Sequence, residues 1–88
     1  MAEFTAKGAN ILVVDDDDDI REIVHILLAR EGFTVREAAN AEQALRQLDP
    51  LPDLVILDVM MPGLSGIELC REIRTKAMMP ILFLSAKT

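Results

Sequence analysis

Apolar residues follow two different rhythms along this chain. Three short unbroken runs, Ile11-Leu12-Val13-Val14, Leu54-Val55-Ile56-Leu57 and Ile81-Leu82-Phe83-Leu84, have the length of strands. A strand that is apolar at every position is covered on both faces, as in the middle of a parallel sheet. A fourth stretch, Phe33–Glu37, alternates Phe33 and Val35 with Thr34 and Arg36, the period of a strand with one wetter face.

Between the strands the period lengthens to that of a helix. Ile20, Ile23, Val24, Leu27 and Leu28 recur at i, i+3, i+4, i+7 and i+8, which is one face of a helix. Asp17 or Asp18 can cap it, Asp19 suits the positive end of its dipole, and Gly32 supplies the left-handed residue that ends it. Asn40 caps a second, short helix with Ala41, Ala44, Leu45 and Leu48 inward, stopped by Pro50 and Pro52. Ser65 and Glu68 form a capping box for a third, with Ile67, Cys70 and Ile73 as its inner face. Strands and helices that alternate with short connections predict an α/β fold with a parallel sheet and right-handed crossovers. Met1 to Asn10 are small and polar apart from Phe4 and read as a flexible lead or an expression scar, so the domain is expected to span residues 11–88.

Charge then narrows the function. The net charge is −6, and five of those charges sit in the run Asp15–Asp19, so the rest of the chain is close to neutral. No basic stripe is available to neutralise phosphates, which argues against direct nucleic-acid binding. The single cysteine, Cys70, allows no intrachain disulfide. With no apolar run near the ~20 residues of a membrane span and no signal peptide, a cytoplasmic protein is expected, with no membrane contact.

The acids fall where they matter chemically. Both Ile11–Val14 and Leu54–Leu57 end in carboxylates, Asp15 and Asp16 after the first and Asp58 after the second. Open α/β sheets keep their chemistry at the carboxyl ends of adjacent strands. Three carboxylates brought together repel unless a cation sits among them, and hard divalent cations want oxygen ligands. The pattern therefore predicts a divalent-metal site with one carboxylate left to react. Met60 and Met61 precede Pro62, which biases this stretch to an extended form suited to a carbonyl aimed at a metal. Asp17, Asp18 and Asp19 are assigned to capping. His25 lies off the apolar face of its helix and reads as a surface residue. The bland alternative for Asp58 is an ordinary strand-end aspartate, and the motif around it weighs against that.

In these motifs the chain resembles a bacterial response-regulator receiver domain, the phosphoacceptor half of two-component signalling. The matching stretches are Ile11-Leu12-Val13-Val14-Asp15-Asp16, Asp19-Ile20-Arg21-Glu22, the run from Pro52 through Asp58 to Gly63, Ser65-Gly66, and Pro80-Ile81-Leu82-Phe83-Leu84-Ser85-Ala86. The resemblance implies a flavodoxin-like sheet, here of order 2-1-3-4. It implies transfer of phosphoryl from the phosphohistidine of a sensor histidine kinase to Asp58, an autocatalysed event rather than enzymatic turnover. It also implies Mg²⁺ held by Asp15, Asp16, Asp58 and the backbone carbonyl of Met60, with the Ser85 hydroxyl meeting the phosphoryl group.

The family continues with a fourth helix, a fifth strand bearing a lysine that pairs with the phosphoryl group, and a fifth helix. Lys87, two residues past Ser85, does not stand where that lysine belongs. A receiver cut short after its fourth strand, with impaired phosphoryl transfer, is the expectation that follows. Such a piece would leave Leu12, Val14, Val55 or Leu57 partly uncovered and would form a homodimer or a domain-swapped oligomer through the fourth strand. The rival reading from another class is a self-associating structural fragment without signalling activity. A haloacid-dehalogenase-type phosphatase is disfavoured, because the second aspartate it needs two residues after Asp58 is Met60.

Overall fold

A computed structural model describes residues 8–61 and 65–84. The element order is β1 (Asn10–Val14), α1 (Asp18–Arg30), β2 (Thr34–Ala38), α2 (Ala41–Arg46), β3 (Leu54–Asp58), α3 (Gly66–Arg74) and β4 (Ile81–Leu84). The four strands form one parallel sheet of order β2-β1-β3-β4. Gly8 and Ala9 hydrogen-bond to Gly32 and Thr34, and β1 itself begins at Asn10, so the sheet's contacts reach into the expected lead.

The order has a direct consequence. From β1 the chain first moves one way, to β2, and then returns past β1 to β3 and on to β4. Right-handed crossovers in opposite directions put α1 on one face and α2 with α3 on the other. The two strands at which the direction reverses are β1 and β3, and their carboxyl ends part around a cleft.

Alternation within β1 and β3 divides the core between the faces. Leu12, Val14, Val55 and Leu57 join Ala38, Ala44, Leu48, Leu69 and Ile73 under α2 and α3. Ile11, Val13 and Ile56 join Val24, Leu28, Phe33, Val35 and Leu84 on the α1 face. The four residues expected to be partly uncovered, Leu12, Val14, Val55 and Leu57, are instead fully buried, because α2 and α3 both lie over them. Exposure falls on the other face and on the β4 edge. Ile23 is 56% and Leu27 54% exposed on α1, and Leu82 is 55% exposed on β4.

The helix ends follow local chemistry. Asp17, not Asp18, caps α1, accepting from the Asp19 and Ile20 amides, and Gly32 beyond its end has φ of 96°. Asn40 caps α2 through the Gln43 amide. Ser65 and Glu68 make the reciprocal capping box of α3. The inner face of α3 differs from the expected one. Leu69 and Ile73 are fully buried and Cys70 half-buried, whereas Ile67 in the first turn is 47% exposed.

Candidate metal and phosphoacceptor site

Asp15 follows the last residue of β1 and Asp58 is the last residue of β3, and both are buried; Asp16 is exposed. One carboxylate oxygen from each of the three lies within 4.8 Å of the others. With Asp17, Ile20, Met60 and Leu84 they line an open cleft of about 300 Å³. The predicted acidic trio is therefore assembled by the reversal between β1 and β3.

Backbone hydrogen bonds hold the two buried members in place. The Asp15 amide donates to the Ala38 carbonyl at 3.1 Å, which ties the end of β1 to β2. The Asp17 amide donates to Asp15 Oδ1 at 2.9 Å, turning the chain sharply after the strand. The Met60 amide donates to Asp58 Oδ1 at 3.0 Å and orients that carboxylate. The Val59 amide reaches the Leu84 carbonyl, and the Gly66 amide the Val59 carbonyl, both at 3.1 Å, so β4 and α3 brace the loop that leaves Asp58.

Burial pushes the Asp15 carboxyl above the usual carboxylate range; the Asp17 amide opposes this, and the charges of Asp58 and Asp16 add to it. A buried carboxylate crowded by two others is the donor set a divalent cation relieves. Three carboxylate oxygens within reach of one ion, in a cleft open to water, suit Mg²⁺, which binds through a few carboxylates and keeps several waters. The residues fit the ion.

Met60 lines the cleft and is largely exposed. Ser85 and Lys87 lie outside the described residues, as do Pro62 and Gly63. His25 is half-exposed and paired with Glu37 rather than standing free. Sequence reasoning missed three residues of the site's surroundings. Ile20 and Leu84 form apolar walls, which the periodicity had marked only as core positions. Arg21, noted only within a motif, hydrogen-bonds the Asp15 carbonyl.

The sequence model of the family described as "Response regulator receiver domain" matches residues 11–88. The transcriptional regulatory protein YrkP of Bacillus subtilis is 49% identical over 78 residues, covering 89% of this chain and 34% of that protein. ResD, a transcriptional regulatory protein of the same organism, is 47% identical, covering 88% of this chain and 32% of the relative. The chain thus spans about a third of the length of these curated relatives. Among solved structures, the response regulator TrrA of Thermotoga maritima, in complex with Mg²⁺-BeF, superposes with a TM-score of 0.83 at 44% identity, over 91% of this chain and 71% of that one.

Proposed function

This chain belongs to the response regulator receiver domain family, and on that premise we propose that it accepts a phosphoryl group at Asp58 from the phosphohistidine of a sensor histidine kinase. The observation that carries the proposal is the convergence of Asp15, Asp16 and Asp58 at the reversal point of the sheet. Asp15, Asp16, Asp58 and the Met60 carbonyl would hold Mg²⁺, as the Mg²⁺-BeF complex of TrrA encourages one to read them. The ion supplies positive charge against the oxygens of the transferring group.

The chain's own residues do the rest. Met60 holds Asp58 Oδ1, so the carboxylate meets the incoming phosphorus in one orientation. An Asp58 oxygen forms the new P–O bond as the P–N bond to the donor imidazole breaks, and the leaving nitrogen departs with the bonding pair. Asp58 ends as an aspartyl phosphate and is not regenerated by the transfer, which makes the domain a phosphoacceptor rather than a turnover enzyme. Ser85 is assigned to meet the phosphoryl oxygens through its hydroxyl, as the family pattern implies. The net charge of −6 and the lack of a basic run in the sequence weigh against DNA binding through these residues, and among the described residues no helix is long and apolar enough to cross a membrane.

Intact-mass spectra after incubation with acetyl phosphate and Mg²⁺ test the reading. A gain of one phosphoryl mass in at least part of the chains is expected, dependent on Mg²⁺ and lost in Asp58→Asn. No gain in mass, or an undiminished gain in Asp58→Asn, would overturn it.

A homodimer through β4 is the second element of the proposal. The β4 strand is at the sheet edge, with Leu82 55% and Phe83 43% exposed. The Pro80 and Leu84 carbonyls point inward, to the Val55 and Val59 amides, so the intervening Ile81 and Phe83 direct their backbone groups outward. Such an edge is a template for another strand. An antiparallel pair about a two-fold axis normal to the sheet sets Ile81 and Phe83 of one copy opposite Phe83 and Ile81 of the other, satisfies both edges and joins the sheets into eight strands. Proline is best placed at position 83, since Leu82 directs its groups toward β3. Sedimentation should find dimers for the wild type and monomers for Phe83→Pro of unchanged circular dichroism. A wild type that stays monomeric at high micromolar concentration would end this part of the proposal.

A further inference from the structure

The motif residue Arg21 has no part in the phosphoacceptor reading, yet its side chain is only 14% exposed and its guanidinium joins three elements. Its Nη1 donates to the backbone carbonyl of Asp15 at 2.7 Å. Its Nε donates to Glu37 Oε1 on β2 at 2.8 Å, and its Nη2 to Asp18 Oδ1 at the start of α1 at 2.6 Å. Glu37 in turn pairs with His25, one turn further along α1. A planar fork with several fixed donors can make these three bonds at once, and a lysine ammonium at one point cannot match their directions.

The Asp15 carbonyl is the decisive partner. Asp15 is the hinge at which the chain leaves β1, and the peptide after it carries Asp16. With the Asp15 amide on Ala38 and the Asp15 carbonyl on Arg21, both peptide groups flanking this residue are held. The directions in which the Asp15 and Asp16 carboxylates leave the backbone are thereby set, and these are two of the three carboxylates that converge with Asp58.

From this geometry we infer that Arg21 is a positioning residue for the divalent ion: it touches neither ion nor phosphoryl group, and aims Asp15 and Asp16 by clamping the carbonyl between them. The inference rests on the metal-site reading above. A purely structural role, as a strut joining α1 to β2, would act on stability alone. Partners that orient metal ligands from behind are worth about 10–100-fold in metal affinity.

Isothermal titration with Mg²⁺, alongside thermal unfolding without it, separates the two roles. Arg21→Lys should bind Mg²⁺ about ten-fold more weakly or worse than the wild type. Glu37→Gln, which loosens the strut but leaves the carbonyl clamp, should unfold at a lower temperature with Mg²⁺ affinity within about two-fold of wild type, well inside the effect expected of an orienting partner. Equal affinities for Arg21→Lys and wild type, or equal losses in both variants, would overturn the inference. The wild type supplies a measurement free of folding effects: the ¹⁵N guanidinium resonances of Arg21 should shift along the same Mg²⁺ saturation curve as the Asp16 amide, while those of Arg46, paired on the surface with Glu42, stay fixed. Unshifted Arg21 resonances at Mg²⁺ saturation would also overturn it. A wild type that shows no Mg²⁺ binding at all would instead refute the metal site itself.

Discussion

Gly66→Ala should cost this domain about 3 kcal/mol or more, the upper end of what inserting a methyl into packed structure costs. A Cβ at position 66 would stand 2.2 Å from the Asp58 carbonyl oxygen, 2.8 Å from Val59 Cα and 3.0 Å from the Asp58 carbonyl carbon. All three neighbours are backbone, so no side-chain rotation makes room. The Gly66 amide is also bonded to the Val59 carbonyl, so α3 cannot retreat without losing that bond. For a domain of this size, 3 kcal/mol lowers Tm by roughly 12–24 °C. The strain falls on the Asp58–Val59 peptide, so the variant should lose part of its Mg²⁺ response as well. A Tm within a few degrees of wild type would show that α3 does not press on the end of β3 as described.

Position 66 illustrates how far a sequence can be read. A glycine after Ser65 was legible as a helix-start glycine, and Ser65 and Glu68 do cap α3. What was not legible is the reason only glycine fits, because the close approach is to a backbone eight residues earlier. The strands, the caps of all three helices and the acidic trio were legible because each is written locally: an apolar run, a capping residue, a carboxylate at a strand end. Which face of the sheet would be exposed was not. Ile23 and Leu27 satisfy the helical period as well as Val24 and Leu28 do, yet only the latter pair reaches the sheet. A periodic stripe marks the side of a helix that seeks cover without saying what covers it. The same limit accounts for Ile67, which repeats with Cys70 and Ile73 at three-residue spacing but lies on the side of α3 opposite the buried Leu69, while its neighbour Gly66 meets the end of β3. Arg21 was hidden in larger part: its pair with Asp18 follows the i,i+3 rule of a helix, but no spacing rule links it to Glu37 on β2 or to the Asp15 carbonyl after β1.

Without divalent metal at neutral pH, Asp15→Asn should be more stable than the wild type and should not respond to Mg²⁺. Burial raises the Asp15 carboxyl above its ordinary value of 3.8, the Asp17 amide partly offsets this, and the charges of Asp58 and Asp16 raise it further. A carboxyl whose folded value lies above its unfolded one binds its proton more tightly when folded. Its contribution is therefore favourable below about 3.8, is lost as pH rises through the raised folded value, and leaves the charged cluster a net cost at neutral pH. Asparagine removes one charge while keeping an oxygen for the Asp17 amide, so the turn survives. Two like charges 4 Å apart repel by about 1 kcal/mol even with the screening of bulk water. Losing that repulsion should raise Tm by at least about 4–8 °C in a domain this small. The gain should shrink as pH falls through the raised folded value, where the wild-type Asp15 takes up its own proton. Glu37, whose carboxyl is desolvated yet held below its ordinary range by Arg21 and His25, weakens both proteins alike on acidification, so the difference between them is the quantity to follow. Added Mg²⁺ should reverse the order: the wild type gains about 1.4 kcal/mol at ten times its dissociation constant, and the variant gains little. Thermal unfolding of both proteins, with Mg²⁺ and with a chelator, decides the matter. A wild type that outlasts Asp15→Asn in the chelator would mean that Asp15 is satisfied by its own hydrogen bonds and has no need of a cation.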